Sequence, residues 1–179
     1  LVIVGTDHHP FERMRQWADS WQDSHPDDQV LLQHGFTAAP VSARGVEMLA
    51  PVDLAELLGT VDVAVTHGGP GTISTVRAAG LVPIVVPRDP ALGEHVDDHQ
   101  QRFATWAGER GLGIVVRDTA RLHEVVRQQA TAGRLAPDER PGVAAVAEVG
   151  RVFDLLRKGA RGRAVIPVLR LGSRRTAGQ

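Results

Sequence analysis

The chain reads as an α/β protein of the doubly wound, Rossmann-like class: a parallel sheet with helices on both faces. Three observations carry that reading. Short β-branched and aliphatic runs alternate with stretches of helical period along most of the 179 residues. The runs are near-continuously apolar, as strands buried on both faces require. Glycine-bearing loops follow several of them, at the ends where such sheets turn into their crossover helices.

Taken in order, LVIVG (1–5) is a β-branched run closed by glycine. FERMRQWADSW (11–21) then spaces Phe11, Met14, Trp17, Ala18 and Trp21 at a helical period. QVLLQ (29–33) and VEMLA (46–50) read as strands two and three, separated by the loop HGFTAAPVSARG. VDLAELLG (52–59) is a short helix capped by Asp53 and ended by Gly59. VDVAVT (61–66) is a strand, TISTVRAAG (72–80) a helix, and LVPIVVP (81–87) the next strand. The stretch 94–110 is helical up to Gly111, LGIVVR (112–117) is the last strand, and 118–133 is a helix capped by Asp118. An amphipathic helix over 142–158 closes a domain of residues 1–158. Residues 159–179 form a tail. With Arg157 and Lys158 before it, Arg161, Arg163, Arg170, Arg174 and Arg175 follow the last acidic residue, Asp154, and suit an anionic membrane or partner surface; a frayed, solvated tail is the equal alternative.

Composition narrows the function. Hydrophobic residues at 42% and charged residues at 23% are ordinary globular values, and a formal net charge of −1 gives no whole-molecule attraction for nucleic acid. The absence of cysteine excludes disulfides, thiolate nucleophiles and cysteine metal sites, and a cytoplasmic setting is expected. No apolar run approaches the roughly 20 residues needed to cross a bilayer, and the opening lacks the basic region of a signal peptide. A strand that begins at residue 1 without methionine suggests trimming at that end.

The most informative stretch is VTHGGPGTISTVRAAG (65–80), where His67 and three glycines stand between a buried strand and a helix. Gly68, Gly69 and Gly71 would permit positive φ and close ligand approach. The following helix adds free N–H groups and a partial positive charge, so the loop suits a phosphate or diphosphate, with His67 and Thr72 as extra donors; a tight strand-to-helix turn without a ligand is the plain alternative. A P-loop is excluded because no lysine follows the last glycine. A nicotinamide enzyme is disfavoured because the first strand leads into GTDHHPF, without the glycine fingerprint.

A second cluster, GEHVDDHQ (93–100), follows the next strand and so opens on the same edge of the sheet. His95 and His99, four apart, would share a helix face with Asp98 or Glu94, but no third well-placed ligand and no HExxH pattern supports a catalytic metal. The better reading is a helix N-terminus whose carboxylates and amide bind hydroxyl groups; a solvated acidic helix start is the plain alternative.

Together, VGTDHHPFERM, THGGPGTI, AAGLVPIVVPR and GEHVDDHQ resemble the C-terminal, nucleotide-sugar-binding half of family 28 glycosyltransferases, above all small exopolysaccharide subunits of the PssE kind. The resemblance covers about residues 1–130. It implies a GT-B enzyme split between two chains, in which this chain binds a nucleoside diphosphate sugar, with UDP as the expected carrier. A membrane-associated partner of the PssD kind would hold a lipid-linked acceptor. Carried over, Gly5, Thr6, His67, Gly68, Gly69, Gly71 and Thr72 would surround the diphosphate. Glu94, Asp98, His99 and Gln100 would face the donor sugar or ribose. No metal, no cofactor and no catalytic residue in this chain is implied, since the base of such enzymes commonly belongs to the acceptor half, with His8 and His9 as possible helpers at the cleft. The pattern departs at Thr75, where related enzymes often carry a glutamate for the ribose hydroxyls. The rivals are a non-catalytic partner subunit of the same fold and a fragment of a full-length transferase or sugar-nucleotide epimerase.

Overall fold

The protein was analysed as a computed structural model that describes residues 1–135 together with 151, 152, 154 and 155. The elements run β1 (Val2–Ile3), α1 (Glu12–Ser24), β2 (Leu31–Gln33), β3 (Arg44–Val46), α2 (Pro51–Thr60), β4 (Val65–Thr66), α3 (Pro70–Ala78), β5 (Ile84–Val85), a 3-10 turn (Pro90–Leu92), α4 (His99–Glu109), β6 (Ile114–Val115) and α5 (Thr119–Ala132). All strand pairs are parallel, in the order β3-β2-β1-β4-β5-β6. This is the Rossmann order, and the reversal falls between β1 and β4, where Val2 pairs with Val65 and Ile3 with Thr66.

The pleat distributes the apolar runs onto two faces. Val2, Val4, Leu32, Val65, Ile84 and Val86 pack with Met14, Trp17 and Trp21 of α1 and Leu122 and Val125 of α5. On the other face Ile3 and Ala64 meet Leu58 of α2 and Val76 of α3, while Val85 meets Ile73 of α3 and Phe103 and Ala107 of α4. The alternation of side chains along each strand therefore feeds two cores, which is why the strands are apolar at successive positions.

Helix starts follow local chemistry. Asp118 caps α5, accepting the Arg121 N–H at 2.7 Å. The Phe11 N–H, ahead of α1, is held by Thr37 Oγ1 at 2.9 Å. Three expectations are corrected. The third strand lies at Arg44–Val46, ending at the first residue of VEMLA, because this edge strand is set by pairing with β2 and exposes Arg44 and Gly45. Asp53 does not cap α2; the helix starts after Ala50 with Pro51 at its first position, and Asp53 sits in the first turn. Residues 94–98 are not helical, and α4 begins only at His99.

Most of the expected helix over 142–158 lies outside the described residues, although 151, 152, 154 and 155 are helical and Val152 is buried against the α4 core. The basic tail also lies outside them. Among the described residues no helix is long and apolar enough to cross a membrane.

Candidate functional site

The loops after β1, β4 and β5 meet at the carboxyl edge of the sheet, on both sides of the switch point. β4 ends at Thr66, and α3 starts at Pro70, two residues earlier than the sequence pattern suggested. Proline is suited to that first position, since its missing N–H would be unpaired there anyway. The amides of Gly68, Gly69, Gly71 and Thr72 make no hydrogen bond within the described residues. Gly68 and Gly69 are nevertheless buried, so two backbone donors stand in a sheltered position without a partner among the described residues.

The glycines act differently from the expectation. None of Gly68, Gly69 and Gly71 has positive φ; Gly69 is extended at φ −82°, ψ 128°. Their role is space. A Cβ on Gly69 would lie 2.2 Å from His67 Cε1, and one on Gly5, which does have φ +84°, would lie 2.5 Å from His67 Nε2. Both residues make room for the imidazole. A Cβ on Gly68 would meet the Gln100 carbonyl oxygen at 3.0 Å, so this glycine lets the loop rest on the start of α4. Of these four glycines, Gly71 alone would place an added Cβ with nothing within 4 Å.

His67 is a strut between the two motifs. Its Nδ1 lies 3.4 Å from Gln100 Oε1 and its Nε2 3.3 Å from Thr72 Oγ1. A neutral ring that donates through Nδ1 and accepts the Thr72 hydroxyl through Nε2 satisfies both contacts. Burial, reinforced by the Arg88 charge, pushes its pKa down to about 4, which keeps that ring neutral at pH 7.

The first loop is tied from below. The Gly5 N–H donates to Gln33 Oε1 at 3.1 Å and its carbonyl accepts from Gln33 Nε2 at 3.1 Å, while Thr6 is exposed at the rim. His8 is exposed, and His9 is held by Asp7, whose Oδ1 accepts the His9 N–H at 2.8 Å and contacts its Nδ1 at 2.6 Å. Arg88 lies beneath, fully buried. It donates to the carbonyls of Val4 (2.9 Å), His9 (2.7 Å) and Glu94 (3.0 Å), with its guanidinium 4.7 Å from the Phe11 ring centroid.

The four residues expected to face the sugar divide. Gln100 is buried beside His67, and His99 is buried next to it at the start of α4. Asp98 is exposed and pairs with Arg102 at 3.1 Å. Glu94 is placed otherwise: its carboxylate is buried, accepts from Arg13 Nε (2.7 Å) and Nη2 (3.0 Å), and accepts the Asp89 N–H (2.8 Å). It braces the β5 loop against α1. Thr75, in place of an acidic residue, turns its hydroxyl back to the Gly71 carbonyl at 2.9 Å.

Gln33, Arg88 and Asp7 are participants that pattern reading missed. The available signals were a glutamine closing an apolar strand run and an arginine between two prolines after another, neither of which points to a partner without the fold. The carboxylates and imidazoles of Asp7, His8 and His9, and those of His95, Asp97 and His99, form two compact groups beside the loop.

Fold and site together define a Rossmann-like domain whose switch-point cleft offers unpaired amides at a helix start, ringed by imidazoles. The chain belongs to the glycosyltransferase family 28 C-terminal domain family, whose model matches residues 1–141. Among curated relatives it is 35% identical over 102 residues to the UDP-N-acetylglucosamine--N-acetylmuramyl-(pentapeptide) pyrophosphoryl-undecaprenol N-acetylglucosamine transferase of Alcanivorax borkumensis, a match that covers 55% of this chain and 26% of that protein. The enzyme of the same name from Pseudomonas putida is 29% identical over 150 residues, covering 75% of this chain and 40% of its own length. The chain therefore spans well under half of these relatives. The crystal structure of the glycotransferase of kitacinnamycin shares the fold, with a TM-score of 0.54 at 21% identity over 89% of this chain and 38% of that one.

Proposed function

We propose that this chain is the donor-binding half of a glycosyltransferase that uses a UDP-sugar and a lipid-linked acceptor. The observation that carries the reading is the set of unpaired amides of Gly68, Gly69, Gly71 and Thr72 at the start of α3, beside an open position at Gly71. Such a set binds a diphosphate through N–H donors and the helix dipole. Its substrate class follows from the relatives, whose names specify a UDP-sugar donor and an undecaprenol-linked acceptor.

In this reading the acceptor hydroxyl attacks the anomeric carbon, the bond from that carbon to the diphosphate oxygen breaks, and UDP leaves with the electron pair. The hydroxyl proton goes to a base outside this chain. The loop amides, already oriented in the folded state, stabilise the negative charge that develops on the departing diphosphate. Gln100, fixed by His67, presents its amide to the sugar hydroxyls, with Asp98 and His99 at the same end of α4. Glu94 acts one layer back, holding the loop that carries them.

The acceptor half is supplied by a membrane-associated partner chain, which brings this chain to the membrane's cytoplasmic face. A second reading, favoured by the greater length of the relatives, places that half in the same polypeptide. Calorimetric titration with UDP, GDP and UDP-N-acetylglucosamine tests the core of the proposal. One-site binding of the uridine ligands is expected, and no binding of any nucleoside diphosphate overturns it.

A further inference from the structure

The loop between the 3-10 turn and α4 carries a second chemistry. His95 and His99 stack edge to face, with ring centroids 4.5 Å apart, and their side chains are only 9% and 8% exposed. Asp97 sits between them: its Oδ1 contacts His99 Nδ1 and lies 3.5 Å from His95 Nδ1. On a common helix with His95 and His99, the third ligand would be Asp98 or Glu94. The structure instead takes His95 off the helix and puts Asp97 at the centre, where its Oδ1 accepts the His99 N–H at 3.0 Å just ahead of α4.

We infer that His95 Nδ1, Asp97 Oδ1 and His99 Nδ1 form a binding site for a divalent transition-metal ion of the zinc class, with Asp7 as the residue that orients His95. Two imidazole nitrogens and one carboxylate oxygen are a donor set suited to such ions rather than to calcium or magnesium. The orienting contact is present: His95 Nδ1 accepts the Asp97 N–H at 3.3 Å, which puts the proton of the neutral ring on Nε2, and Nε2 lies 3.0 Å from Asp7 Oδ2. A carboxylate on the far nitrogen of a ligating histidine fixes its tautomer and raises its basicity.

Protonation states agree with this geometry. Burial lowers the His95 pKa despite the neighbouring Asp7, so the ring is neutral at pH 7. Burial alone would raise that of Asp97, but the hydrogen bonds from the His99 N–H and ring outweigh it and hold the carboxylate ionised. The ion takes the place of the proton held between His99 Nδ1 and Asp97 Oδ1, and the neutral ring carries its proton on Nε2 instead. Asp97 is 40% exposed, so the open coordination positions face solvent on its side.

The test uses tag-free, chelator-stripped protein and Zn2+ alone, so it stands apart from the sugar-nucleotide reading. Calorimetry should show one tight site. Asp7→Asn should weaken it about 10- to 100-fold. His95→Gln and His99→Gln should each weaken it further, while His8→Gln leaves it intact. Each variant's fold is checked by its melting curve in chelator. Affinity unchanged in His99→Gln, or lost in His8→Gln, overturns the assignment. Should the glutamine variants fail to fold, electron paramagnetic resonance of the Cu2+-loaded wild type decides: two imidazole nitrogens are expected, and one or none refutes the site.

Discussion

Replacing Gly71 by leucine separates ligand binding from folding. Gly71 is the second residue of α3, is exposed, and would place a Cβ in space with no atom within 4 Å. The folded state should therefore accept the side chain. Leucine is the better helix former by up to about 0.8 kcal/mol in a helix interior, and less in a first turn, so the expected change in stability is zero to slightly positive. The isobutyl group, however, occupies the approach to the unpaired amides. A charge-assisted hydrogen bond contributes about 1.5 to 3 kcal/mol, so denying the diphosphate even one should weaken UDP binding about 10- to 150-fold. Calorimetric titration with UDP, run beside urea denaturation of the same preparations, reads both quantities. UDP affinity within about twofold of wild type in a fully folded Gly71→Leu protein would refute diphosphate binding at this loop. Gly69→Ala and Gly68→Ala cannot serve, because each forces His67 or α4 to move and confounds the two readouts.

Lowering the pH should destabilise the protein through His67. Its folded pKa is about 4 against an ordinary 6.5, so between those values the unfolded chain takes up a proton that the folded chain does not. The loss approaches about 3 kcal/mol by pH 4 as an upper bound, reduced by solvent at the cleft edge, and denaturation of His67→Gln at pH 7 and 4.5 should lack that share of the drop. Glu94→Ala should cost about 3 kcal/mol, the lower end for breaking a buried pair because Arg13 is 21% exposed, yet leave UDP affinity of the folded fraction unchanged. A selective loss of affinity would instead make Glu94 a donor ligand. Asp118→Ala should lower stability by about 1 kcal/mol through loss of the α5 cap, with Asn retaining most of it, measured by urea midpoints.

The strand and helix periods disclosed the class and nearly every element, because burial on both faces leaves a continuous apolar run. Edge strand β3 escaped, since Arg44 and Gly45 earn their place from hydrogen bonds to β2 and carry no apolar signal. The start of α4 was misplaced for a related reason: Asp97, Asp98 and Glu94 all suit a helix N-terminus, and only tertiary contacts choose among them. Glu94 is claimed by Arg13, from a helix 81 residues away in sequence. The glycine motif was legible as a site, but its division of labour was not. Gly5 and Gly69 read alike as ligand space until His67 is seen lying against both.

That division bears on how the cleft is built. A loop made flexible by glycine would have to be ordered by its ligand, at a cost of about 0.5 to 1.5 kcal/mol for each side chain immobilised. Here the glycines do the opposite, because the imidazole they admit ties Thr72 at the start of α3 to Gln100 at the start of α4. Arg88 does the same from beneath, gathering carbonyls from the β1 loop and the β5 loop onto one buried guanidinium. Three loops from three strands are thus fixed to one another before any ligand arrives, and the charge that fixes them is positive. On the proposed reading, a diphosphate entering at Gly71 would meet amides already oriented, in a site whose loops are held by the buried Arg88 charge that also acts on His67.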